Sequence, residues 1–186
     1  MGRVHLHDER SDPPMRVVLG SLMARATHAD LAVAHVRLLA IDLEPREVAR
    51  LRSCRVLLGR LDASALNNAP DAVHATERLD RLLAFVRSGI AQVRSSGASA
   101  WTPDFSIFRG LPADTPFEDG VACLVGAHYF MQPMTLPGAA LTCVLSGRAV
   151  AARLEERFDE EWNKAHDVSE AVIETIQALR QRATAG

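Results

Sequence analysis

Apolar residues fall along this chain in two rhythms, and the switches between them mark the expected elements. Met15, Val18, Leu19, Leu22 and Ala26 recur at helical spacing, which predicts an amphipathic helix of about three turns. Asp12 is placed to cap that helix, with Pro13 at its first position. From Asp30 to Leu39 the pattern becomes a dense run, Leu-Ala-Val-Ala-His-Val-Arg-Leu-Leu after the acid, as expected of a buried strand. Glu44 to Arg52 is short, charged and helical in character, and Cys54 to Gly59 reads as a second strand.

Asn67, Asn68 and Pro70 mark a loop and the start of a helix whose core face is Leu79, Leu82, Leu83 and Val86. Gly89 is its expected C-terminal cap. Further strands are expected at Ile90 to Ser95, Phe105 to Phe108, Val121 to Gly126 and Ala140 to Leu145. The segment from Gly110 to Gly120 reads as an exposed loop, and the prolines of Met131 to Gly138 exclude regular structure there. A long helix follows, with Val150, Leu154, Phe158 and Trp162 as a ladder at i+4. Asp167 and Glu170 have capping-box spacing before a last helix with Val172, Ile173, Ile176 and Leu179 as its apolar stripe.

Helices alternating with apolar strands give an α/β sandwich, a mixed central sheet with helices on both faces. The strand centres are expected near Val33, Val56, Val93, Ile107, Leu124 and Val144. Residues 1–14 read as a mobile tail, 15–166 as one domain and 167–186 as a helical extension. With 186 residues, 48% of them hydrophobic, the chain can bury a core of its own and does not have the composition of a disordered segment.

A net charge of −2 argues against binding nucleic acid through the whole surface, while leaving a local basic groove open. Cys54, Cys123 and Cys143 sit in apolar runs without zinc spacing, so buried free thiols and a reducing, cytoplasmic compartment are expected. No apolar run has the length of a membrane span, and no signal-peptide core follows the first residues. The hydrolase elbow Gly-x-Ser-x-Gly is absent around Ser21 and Ser146, and neither glycine-rich nucleotide loop is present. His5, His7 and Asp8 alternate as metal ligands could, yet the tail offers them no convergent partner, and no metal or other cofactor is expected.

Three stretches carry a resemblance: Trp101-Thr-Pro-Asp-Phe-Ser-Ile-Phe-Arg109, Val125-Gly-Ala-His-Tyr-Phe130 and Ala140 to Ala165. In order and hydrophobic pattern they are similar to the second half of a phospholipase D-like domain. The opening helix and strand from Leu19 to Val36, the strand Arg55-Val-Leu-Leu-Gly59 and the ending Phe158-Asp-Glu-Glu-Trp162 extend the likeness over roughly residues 15–166. The resemblance implies a histidine nucleophile that attacks phosphorus, a lysine two residues on that holds the phosphate, and an acid further along. It also implies that a one-domain member pairs into a homodimer to bring two such motifs together.

The expected residues are replaced. His-x-Lys-x4-Asp aligns with Thr102, Asp104 and Arg109, and Gly-Ser-x-Asn with Gly126-Ala-His-Tyr129. A further acid aligns with Ala140. An aspartate where the lysine belongs repels a phosphodiester. The first expectation is therefore a catalytically inactive phospholipase D-like domain of the degenerate, His-x-Lys-lacking kind. It would serve as a binding or assembly module for a protein or a nucleic acid, and the resemblance suggests a bacterial DNA-processing or defence setting.

The alternative is an active phosphodiesterase or nuclease with relocated residues. His128 is then the rescuing base, with His35, Arg37 and Arg109 as phosphate contacts. Each of these has a plainer reading: His128 and Tyr129 as loop residues after a strand, His35 as a hydrogen-bonded core histidine. A third alternative is an unrelated α/β module whose strand pattern mimics the family. The acids Glu155, Glu156, Asp159, Glu160 and Glu161 are expected on a solvated helix face, and Trp162 in the core.

Overall fold

Every expected strand is present in the computed structural model, which describes residues 4–7, 13, 15–37, 41, 43–62, 72–97, 104–126 and 142–185. The strands are β1 (Val4–His7), β2 (His28–Arg37), β3 (Ser53–Asp62), β4 (Ala91–Ser95), β5 (Phe105–Arg109), β6 (Val121–Gly126), β7 (Thr142–Ser146) and β8 (His166–Asp167). The helices are α1 (Met15–Arg25), α2 (Pro45–Val48), α3 (Ala72–Arg87), α4 (Arg148–Lys164) and α5 (Ser169–Ala185). Asp12, Asn67, Asn68, Pro70 and the segment Met131 to Gly138 lie outside the described residues.

One eight-stranded sheet runs β1-β7-β6-β5-β2-β3-β4-β8. Its centre, β2-β3-β4, is parallel, and every other pairing is antiparallel. Parallel neighbours cannot be joined by a tight hairpin, so α2 and α3 lie in the crossovers between them. The sheet is mixed, as expected, because β5 returns to pair with β2 on the side away from β3.

Alternation along the strands builds two cores. Leu31 and Val33 of β2, Leu58 of β3 and Val93 of β4 face α1, α3 and α5. Ala32, Leu57, Phe105, Ile107 and Cys123 face the other way and meet α4 through Ala151, Phe158 and Trp162. Gly89, at φ +75°, ends α3 in the left-handed region, as its position predicts.

Three expectations change. Val4–His7 is not a free tail: it pairs antiparallel with β7 as a strand of the sheet. The C-terminal helix is not an appendage either. Val172, Ile176 and Leu179 are buried in the core of the domain, and Arg180 Nε meets Asp80 Oδ1 of α3 at 2.7 Å. Its apolar stripe is thus covered within the chain and does not call for a second copy.

In α4, Val150 is 36% exposed and Ala151 takes the inner position. A helix turns about 100° per residue. Each step of four therefore drifts about 40°, and three steps back from Trp162 carry Val150 off the buried stripe. Asp167 caps α5 by accepting the Ser169 N–H at 2.8 Å, and that bond holds its carboxyl below the usual carboxylate range. Among the described residues no helix is long and apolar enough to cross a membrane.

Ser106 is fully buried between the cross-strand neighbours Leu31 and Leu124, and its hydroxyl has no hydrogen-bond partner among the described residues. Ser106→Ala should raise stability by about 1 kcal/mol, because an unpaired buried hydroxyl carries its desolvation cost uncompensated; thermal and urea unfolding measure it. Cys54 and Cys123 are free and buried, Cys143 is half-buried, and burial pushes the first two thiols up to about 12. A thiol reagent at pH 8 should modify Cys143 well before the other two in the native protein, with all three reacting in urea. Peptide mapping distinguishes the three sites.

Candidate functional site

One end of the sheet gathers the C-terminal ends of β2, β3 and β6 and the beginnings of β5 and β7. The ladder between β2 and β5 closes at Ala32 and Phe105. One residue before β5, the Asp104 carboxylate extends that ladder: its Oδ1 accepts the Ala34 N–H at 2.7 Å. The Asp104 carbonyl accepts the Gly126 N–H at 3.0 Å, joining the same point to the end of β6. From the other side β3 approaches closely at Gly59, where an added Cβ would lie 2.6 Å from the Ala34 carbonyl oxygen. Asp104 therefore works as a clamp that fixes three strand ends, using a charged acceptor where a backbone carbonyl would otherwise serve.

Asp104 and Arg109 stand at opposite ends of β5, about 16 Å apart at strand rise. Thr102, His128, Tyr129 and Ala140 lie outside the described residues. Gly126 closes β6. His35 and Arg37 occupy the last positions of β2, at the Asp104 end, with side chains outside the described set. The same holds for the side chains of His5 and His7 on β1, and for Asp8.

Arg109 belongs to a different structure. Its guanidinium donates to Asp30 Oδ2 at 2.5 Å and to Glu155 Oε1 at 2.8 Å. Asp30 is 1% exposed and also receives Arg55, Nε to Oδ1 at 2.7 Å and Nη2 to Oδ2 at 2.8 Å. Arg55 reaches on to Asp159 Oδ1 at 2.7 Å, and the Asp30 hydrogen bonds drive its guanidinium above its ordinary value. The same cation lies 4.8 Å from the Phe158 ring centre and 5.6 Å from that of Trp162. Arg94 covers Trp162 at 4.7 Å and donates to its carbonyl at 2.9 Å.

A buried carboxylate is thus shared by two arginines that each continue to an acid of α4. Sequence reasoning missed this hub, although its signals were present. Asp30 is an acid at the head of an apolar run, and Arg55 sits at an inward position of a strand. Of the acidic run on α4, expected to be wholly solvated, Glu155 and Asp159 are turned to the sheet as ligands of these arginines. Trp162 is in the core, as expected.

The fold agrees with solved structures. Nuc from Salmonella typhimurium, a phospholipase D family member, matches with a TM-score of 0.54 at 15% identity, over 90% of this chain and 98% of Nuc. NucT from Helicobacter pylori matches with a TM-score of 0.56 at 7% identity, over 90% of this chain and 99% of NucT. The fold is phospholipase D-like. TrmBL2, an archaeal chromatin protein whose structure shows a novel mode of DNA binding, also matches, with a TM-score of 0.53 at 15% identity. That match spans 89% of this chain but 54% of TrmBL2. At the level of sequence, no protein-family profile and no curated protein matches the chain.

Asp30→Asn should destabilise the protein by about 3–5 kcal/mol, since it leaves two arginines without their shared buried counter-charge. In a double-mutant cycle with Arg109→Gln the two losses should fall short of additive by at least about 1 kcal/mol, as residues in one network do. Additive losses in urea unfolding would show that the hub is not a coupled unit. At the strand ends, Asp104→Ala should cost about 1–3 kcal/mol by orphaning the Ala34 N–H, and Asp104→Asn, which keeps the acceptor, should cost less. Amide hydrogen exchange at Ala34 reports the loss directly.

Proposed function

We propose that this chain is a catalytically inactive phospholipase D-like domain that acts as a binding or assembly module. The observation that supports the reading is the occupation of Asp104. The motif's phosphate-holding lysine is replaced by a carboxylate, and that carboxylate is engaged in holding Ala34 and the strand ends. A phosphodiester brought there would meet a negative charge instead of a cation.

The other motif cation offered by the sequence, Arg109, is committed to Asp30 and Glu155 at the far end of β5. Thr102, in the nucleophile position, has no base beside it in the motif. Removing both the nucleophile and the phosphate ligand costs many powers of ten in rate, since each 1.36 kcal/mol of lost stabilisation is about tenfold.

The phospholipase D-like matches and the DNA-binding chromatin protein suggest the partner classes to try: nucleic acid first, and protein second. Pairing into a homodimer belongs to this reading through the resemblance alone, and sedimentation at micromolar concentration tests it.

The decisive measurement is metal-independent hydrolysis. Purified protein should leave single- and double-stranded DNA, RNA and a generic phosphodiester intact in EDTA, and a His128→Ala variant should behave identically. Robust cleavage that disappears in the variant would overturn the proposal and install His128 as the working base of an active phosphodiesterase.

A further inference from the structure

We draw no further inference here: the strongest candidate, an apolar cavity of about 70 Å³ in the seam between α1, α3 and the strands β2 to β4, bordered by Met23, Val33, Leu58 and Phe85, has no polar group in its lining to select a ligand, and nothing in the structure shows what covers it.

Discussion

A carboxylate removed from water must find its donors in the protein or give up its charge, and Asp30 satisfies that constraint in a way that organises one face of the sheet. Its two oxygens receive three guanidinium hydrogen bonds, from Arg55 on β3 and Arg109 on β5. Those arginines keep donors to spare, and the nearest acids are Glu155 and Asp159, one turn apart on α4. The helix is thereby set across the strands at a fixed height and rotation. Ala151, Phe158 and Trp162 supply the buried apolar contacts of α4, and the ion pairs at Glu155 and Asp159 add to them. The Arg55 cation over Phe158 and Trp162 joins the ionic and apolar parts into one unit.

The two ends of β5 divide the labour of the strand. At Arg109 the chain contributes to packing between sheet and helix; at Asp104 it contributes to the geometry of the strand ends. Both positions fall in the stretch that resembles a catalytic motif, and both are occupied by charges that serve the fold. The Asp104 carboxylate accepts the Ala34 N–H and would repel a phosphate, while the Arg109 guanidinium is engaged by Asp30 and Glu155. The architecture is thus held at both ends of β5 by side chains whose charges are engaged within the fold.

The strands at Val33, Val56, Val93, Ile107, Leu124 and Val144 were legible because each is a short apolar run between turn or helix signals, and such runs must be buried. β1 was not, since Val4–His7 alternates hydrophobic and histidine residues over only four positions and gains its order from pairing with β7. The place of α5 was open for a similar reason: an apolar stripe demands a cover, but the pattern does not say whose. The hub was illegible as a unit because it joins residues 30, 55, 109, 155 and 159, which no spacing rule connects.

Charge in an otherwise apolar strand turns out to be the informative signal in this chain. Asp30, Arg55, Arg94 and Arg109 each interrupt a strand, and each is accounted for by a specific partner: Asp30 by two arginines, Arg55 and Arg109 by Asp30 and an acid of α4, Arg94 by Trp162. An unpartnered charge as deeply buried as Asp30 would cost several kcal/mol, so an acid at the head of an apolar run already implied a cation to meet it. What the pattern could not supply was the direction of that compensation, toward a ligand or toward the fold. For Asp30, Arg55, Arg94 and Arg109 the structure decides it: their partners lie within the fold. Asp104 follows the same rule at the strand ends, where its carboxylate is engaged by the Ala34 N–H and its carbonyl by the Gly126 N–H.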